Sequence, residues 1–297
     1  ANNFENNSNA VIVAKEADIE ILGALNNAGG IYQTAENETF KDNEFNISAS
    51  TINNTNAIVS KTASIQIGKG SINVEELTND GQIFETKTNR ENSDVLAIKG
   101  LKSLTNSGNI IVESNLVLEN SKLVNKTDSV NGNEPAYIQA GSITAHGLTS
   151  FENDGVLVAD DELSLSSQQS LQNSGELVAG AVVIDTAGTF KNLDTVISQG
   201  VLSINAEKIV NTQDSSIVAK GSNLTLSTEK YSNSESKIDN AGLIASADNL
   251  TIKTILLNNK QTISANGDGV LRVERLDNQK LIFANNLVIG SVGNEVT

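Results

Sequence analysis

Phe151 to Gly180 reads FENDGVLVADDELSLSSQQSLQNSGELVAG, and the FENDGVLVAD at its start is answered by LQNSGELVAG at its end. The two phrases carry their apolar positions, an Asn and a Gly in one order, 20 residues apart from Asn153 to Asn173. A phrase that returns along a chain signals one structural unit stacked on copies of itself. Taking Asn153 as an anchor, equivalent anchors stand at Asn27, Asn54, Asn79, Asn106, Asn125, Asn173, Asn192, Asn211, Asn240, Asn259 and Asn278, with Asn6 a frayed copy.

Two residues before each anchor the chain is apolar throughout, from Phe4, Leu25 and Ile52 to Ile238, Leu257 and Leu276. Four residues after it the chain gives Ile31, Ile58, Ile83, Ile110, Leu157, Leu177, Val196, Ile244, Ile263 and Ile282. Between these positions lie LVL at Leu116–Leu118, LSL at Leu163–Leu165, LTL at Leu224–Leu226 and LTI at Leu250–Ile252. That period of two belongs to strands with one buried face, and helical periodicity is missing. Each repeat offers about three short strands and cannot bury its apolar face alone.

Stacked coils of this length form an all-β fold, a parallel β-helix or solenoid of about thirteen coils, each strand pairing with its counterpart one coil on. A leucine-rich repeat shares the period and the recurrent Asn but needs a helical segment in each repeat, for which these strands leave no room. The anchor Asn suits a corner, because Asn tolerates the left-handed conformation and stacked amides form a ladder. The Gly of NDG, NSG and NAG is expected to supply a positive φ in the same turn.

Composition sets the outer limits. The chain has 297 residues, 38% hydrophobic and 3% aromatic, with no Trp, Met or Cys, so its core is built from small aliphatics. With 36 acidic and 20 basic residues the net charge is −16, which repels a phosphate backbone and excludes nucleic acid as a natural partner. No apolar run approaches the roughly 18 residues that span a bilayer. The lack of Cys excludes disulfides and thiolate metal sites and is compatible with export. One Pro, Pro135, among 22 Gly assigns the turns to Asn and Gly.

The phrase L-x-N-x-G-x-[IL]-x-A followed by L-x-L resembles the haemagglutinin repeats of the filamentous haemagglutinin family of bacterial exoproteins. LTNSGNIIVESNLVL from Leu104, FENDGVLVADDELSL from Phe151, LQNSGELVAG from Leu171 and IDNAGLIASADNLTI from Ile238 carry the likeness, which covers nearly the whole chain. The resemblance implies a right-handed β-helical shaft, secreted by two-partner secretion through an outer-membrane transporter and displayed at the Gram-negative cell surface. Members include adhesins, haemolysins and the stick-like effectors of contact-dependent growth inhibition. NPN-type secretion motifs and a VENN motif are missing, so residues 1–297 are expected to be one shaft segment internal to a much larger exoprotein.

Several coils are long: 27 residues from Asn27 to Asn54, 25 from Asn54 to Asn79, 27 from Asn79 to Asn106, 28 from Asn125 to Asn153 and 29 from Asn211 to Asn240. Aligning the strands places the excess at Gln33 to Glu44 and Glu85 to Asp94 after the first strand, Lys126 to Pro135 after the Asn corner, and Lys69 to Glu76 and Ser227 to Lys237 after the second strand. Loops on a rigid scaffold are where recognition usually sits. The first two leave one corner two coils apart and form the candidate patch. Phe40 is its apolar anchor, Lys41, Lys87 and Arg90 its cations, and Asp42, Glu44, Glu91 and Asp94 its acceptors. That mixture suits a protein or glycan receptor on a host or neighbouring bacterial cell. The competing reading is an inert spacer whose loops are merely tolerated.

The remaining constellations are sparse. Tyr32, Tyr137, Tyr231 and Phe45 lie in or beside long coils, where exposed aromatics stack on sugars or anchor proteins; Phe45 also fits an inward strand position. His146 is the only His, which leaves no His-based metal site or triad and fits a surface turn. Asp160, Asp161 and Glu162 offer Ca²⁺-type oxygens, but neighbours on a turn ordinarily face water. The NGDG of Asn266 to Gly269 occurs once, as a tight turn, and Lys253, Arg272 and Arg275 mark a basic spot near the last coils. No cofactor is called for. A polysaccharide-degrading enzyme needs carboxylates converging within about 5 to 10 Å. The outward residues of LSL, LTL and IQI are Ser, Thr and Gln, so the chain is read as no enzyme.

Overall fold

A computed structural model describes residues 1–34, 43–56, 63–85, 96–126 and 135–291. The described chain is almost wholly β, with parallel strands and no α-helix; one 3₁₀ turn, Glu229–Tyr231, is its single helical element. It forms two compact units, residues 1–145 with 155–160, and residues 146–154 with 161–297.

In the first unit three apolar columns run through successive parallel pairings. Ile12, Ile31, Ile65, Ile83, Ile110, Ile138 and Leu157 stand in register in one. Ile19, Ile47, Ile72 and Ile98 form the second, and Phe4, Leu25, Ile52, Leu77, Leu104 and Leu123 the third. The second unit repeats the plan with Leu177 to Ile282, Ile184 to Ile289 and Leu171 to Leu276. Away from the outermost strands these side chains are almost fully buried, and each contributes roughly 1.5 to 3 kcal/mol by leaving water.

The bends are written in the alternation. In the strand Phe45–Asn54 the buried residues are Phe45, Ile47 and Ala49, then Ile52 and Asn54, so Ser50 and Thr51 point outward in succession and the phase slips by one. Gly70–Asn79 does the same at Glu75 and Glu76. Two outward residues in a row shift the buried face, and the pairing skips Ser50 and Glu75 there but resumes in the same register.

The anchor asparagines form buried ladders. In the first unit the Nδ2 of Asn6, Asn27, Asn54, Asn79 and Asn106 each donate to the Oδ1 of the next anchor, at 2.7 to 2.8 Å. In the second unit Asn153, Asn173, Asn192, Asn211, Asn240 and Asn259 do likewise up to Asn278, at 2.8 to 3.0 Å. Each amide also reaches backbone carbonyls, as Asn79 does to Gly81 O at 3.2 Å and Asn109 O at 3.1 Å. An amide buried without such partners would cost several kcal/mol.

Two expectations about the corner are corrected. Among the described residues only Asn9, Asp214, Gly70, Gly100 and Gly147 have positive φ, so neither the anchor Asn nor the glycine two residues later is left-handed. The glycine answers a close approach instead. A Cβ on Gly81 would lie 2.2 Å from Ala63 O, and one on Gly242 would lie 2.2 Å from Ser215 O.

A third correction concerns the pass from Asn54 to Asn79. Lys69 to Glu76 is not an insertion, because Gly70–Asn79 is a regular strand. The extra length falls between Asn54 and Ser64, and the residue in the first column is Ile65 rather than Ile58, which lies outside the described residues.

Candidate recognition surface

The strands Gly30–Gln33 and Gln82–Glu85 both pair with Ser64–Ile67, in one register and on its two sides. Two strand spacings, about 9.5 Å, therefore separate the points from which segments 35–42 and 86–95 depart. Phe40, Lys41, Asp42, Lys87, Arg90, Glu91 and Asp94 lie outside the described residues. Glu44 is described: its side chain is exposed, and its carbonyl accepts the Ala17 N–H at 3.1 Å.

Gln33 and Glu85, taken from the sequence as the first loop residues, are instead the last residues of their strands and are buried, 5% and 6% exposed. Gln33 plugs the foot of its loop. Its Nε2 donates to Lys15 O at 3.0 Å and Asn43 O at 3.2 Å, and its Oε1 accepts from Gly68 N at 3.0 Å and Lys69 N at 2.9 Å. The Glu85 carboxylate accepts from Glu113 N at 2.5 Å. Each polar group stands at an inward position and holds backbone outside the strands, that of Lys15, Asn43, Gly68 and Lys69 for Gln33 and that of Glu113 for Glu85.

In the second unit, residues 228–236 follow the strand Leu224–Ser227, as the spacing predicts, and are pinned down. Lys230 pairs with Asp185, and the Tyr231 hydroxyl donates to the same carboxylate at 2.9 Å. Asn233 donates to Glu207 at 2.6 Å, Glu235 pairs with Lys208 at 3.1 Å and Glu229 with Lys253 at 3.2 Å. The bond to Asp185 raises the Lys230 pKa, and the bond to Glu235 raises that of Lys208.

The other sequence candidates fall on regular strands. Phe45 is fully buried and inward. Tyr32 and Tyr137 are half-buried strand residues; burial, then the Asp160 charge, pushes the Tyr137 phenol above its ordinary value. His146 sits on the strand Ile143–Leu148 rather than in a turn, exposed, with Nδ1 3.2 Å from Ser166 Oγ. Asp160, Asp161 and Glu162 also lie within a strand, Val156–Ser167, as three exposed residues in succession between the buried Ala159 and Leu163. Among the described residues no three His, Asp or Glu gather as metal ligands.

One feature had no signal in the repeat phrase. Three residues, Gly100 to Lys102, separate Lys99 from Ser103, where the paired strand has two between Asn73 and Glu76. A groove of about 590 Å³ lies at this irregularity, lined by Ala97, Leu101 and Val117 and rimmed by Lys99 and Glu119. Gly100, at φ +79°, marks the irregularity. No family model, curated protein or solved structure matches the chain.

Proposed function

We propose that each unit is a right-handed parallel β-helix, and that the chain is an extracellular stalk section of a large, secreted bacterial surface protein. In this reading it is exported by two-partner secretion and displayed at the Gram-negative outer membrane, as an adhesin or as the receptor-contacting stick of a contact-dependent growth inhibition effector. The tandem L-x-N-x-G phrase supports the family. In-register columns, each one coil from the next, support the helix. No helix among the described residues is long and apolar enough to cross a membrane.

The observation that carries recognition is the paired departure of segments 35–42 and 86–95 from strands that flank Ser64–Ile67. A regular shaft needs no insertions, and two from one corner at neighbouring heights build a surface that one loop does not. The partner in this reading is a protein or glycan receptor on a host or neighbouring bacterial cell. Replacing both segments with the short turn of the Asn173 repeat tests it. The chain should still fold and cell attachment should fall; unchanged attachment of the folded variant removes the paired-loop site.

The spacer reading has one observation in its favour. The insertion at 228–236 is held against its own unit by Asp185, Glu207, Lys208 and Lys253, so an insertion here can serve as a brace.

A further inference from the structure

In the first unit, the residue after each member of the Ile12 to Leu157 column points outward. Pairing stacks these outward residues as Tyr32, Gln66, Phe84, Ile111 and Gln139. None of the five is charged, on a chain of net charge −16. The matching outward row on the second strands holds Glu20, Ser48, Asn73 and Lys99. The outward row of the first strands is thus uncharged, and its two aromatic residues, Tyr32 and Phe84, stand at backbone positions two strand spacings, about 9.5 Å, apart.

The Tyr32 ring has a fixed attitude. A Cβ on Gly30 would lie 2.3 Å from Tyr32 Cε2, 2.5 Å from Cζ and 2.6 Å from the hydroxyl oxygen, so the ring lies down over the bare Gly30 backbone. An aromatic laid across a strand glycine covers it with one face and presents the other to solvent. Tyr32 is half-buried, in keeping with one covered face. Between the two rings, Gln66 uses one N–H on Ser64 Oγ at 3.3 Å and keeps its carbonyl oxygen and second N–H for a ligand.

We propose that Tyr32, Gln66 and Phe84 form a binding platform for a neutral, linear β-1,4-linked glycan. Such a chain is a flat ribbon in which alternate sugar rings flip. Every second ring offers the same C–H face, at a distance close to two strand spacings, to an aromatic below. Tyr32 and Phe84 take those rings by stacking, and the Gln66 amide bonds hydroxyls of the ring between. Net negative charge excludes acidic glycans, and a protein partner would leave the regular spacing unused. The site uses strand residues alone, so it goes beyond the loop reading and stands whether or not that reading holds.

The test is titration of the whole chain with a soluble β-1,4-linked glucose oligomer long enough to span three strands, and with its α-1,4-linked isomer. The wild type should bind the β-linked oligomer in preference to the α-linked one. Tyr32→Leu and Phe84→Leu, which keep an apolar cover, should each weaken binding roughly three- to tenfold, while Tyr32→Phe should not. Gly30→Ala, which lifts the Tyr32 ring, should act like Tyr32→Leu. Absence of binding, equal binding of the α-linked isomer, or binding indifferent to both Leu variants overturns the proposal. Thermal melts confirm that each variant is folded. The double loop replacement should leave the titration unchanged, which separates this site from the loop site.

Discussion

The Asn211 amide donates to Asn240 Oδ1 at 2.9 Å across 29 residues of chain, and Asn240 donates to Asn259 Oδ1 at 2.8 Å across 19. The same bond closes both passes, so the ladder sets the rung and the chain length between rungs is free. Residues 228–236 absorb most of the difference, and the rest is taken up before Ser216 and Leu224. Loop closure costs little more as a loop lengthens, which is why such insertions are tolerated.

Removing a rung should therefore be costly wherever it is done. Asn211 Oδ1 accepts from Asn192 at 3.0 Å and from Ser215 Oγ at 2.7 Å, while its Nδ2 serves Asn240 and Leu243 O. Asn211→Ala orphans buried groups on two sides, at about 1 to 3 kcal/mol each, read by urea unfolding. Asn211→Asp keeps the shape but sets a buried carboxyl against the Asn240 and Leu243 oxygens, so its folded pKa rises above the unfolded value near 3.9. The variant should be closest to wild type below that pH and lose stability as pH rises through the folded value.

Leu171 is 1% exposed and pairs with Phe190 in the third column of the second unit. Leu171→Ala should cost roughly 2 to 5 kcal/mol in denaturant, with the cavity bounded by strands that cannot close in without losing their pairing. A loss near zero would mean that the column is not continuous there.

The 228–236 brace makes a separate prediction in alkali. Lys230 and Lys208 have folded pKa values above their unfolded ones, so their contribution is complete below the unfolded lysine value of about 10.4 and lost as pH rises through the folded values. Hydrogen exchange in 228–236 should accelerate above that pH while the strand Leu202–Asn211 stays protected. Asp185→Asn, which weakens the hold on both Lys230 and Tyr231, should free the segment at neutral pH.

Hydrogen exchange should also be uneven along the second unit. In the strands Leu281–Phe283 and Asn286–Gly290, Phe283 and Ile289 are each 51% exposed, against 0% for Ile204 and Ile209 in Leu202–Asn211. The monomer should lose protection in those two strands first; equal protection would require a cover over them.

The columns were legible because Asn and the aliphatic two residues before it are fixed by one ladder, whose geometry tolerates no substitute at most rungs. The insertion between Asn54 and Ser64 was not, because Ile58 and Ile65 both satisfy a period of two and the alternation cannot choose between them. What decides is Asn56, whose amide donates to Asp80 O at 2.9 Å and whose Oδ1 accepts the Ala63 N–H at 3.2 Å. Gln33 and Glu85 are not legible as core residues for a related reason. A polar side chain at an inward position reads as the end of a strand, and only the four backbone partners of Gln33 explain its burial. The Tyr32 platform depends on Gly30 two residues earlier, a relation that the repeat phrase does not encode.

The reason for glycine after the Asn corner can be tested at Gly81. Its missing Cβ would lie 2.2 Å from Ala63 O and 2.8 Å from Ala63 Cβ, and that carbonyl already accepts the Gln82 N–H at 3.0 Å, so it cannot move aside without loosening the pairing. If positive φ were the reason, Gly81→Asn would be far better tolerated than Gly81→Ala, since Asn visits that region readily. The close approach predicts otherwise. Both variants should lose stability alike, by about 1 to 3 kcal/mol as the strands shift. Gly200→Ala, whose nearest obstacle is Gly180 O at 2.9 Å, should lose less. A well-tolerated Gly81→Asn beside a damaging Gly81→Ala would restore the turn explanation and discard the packing one.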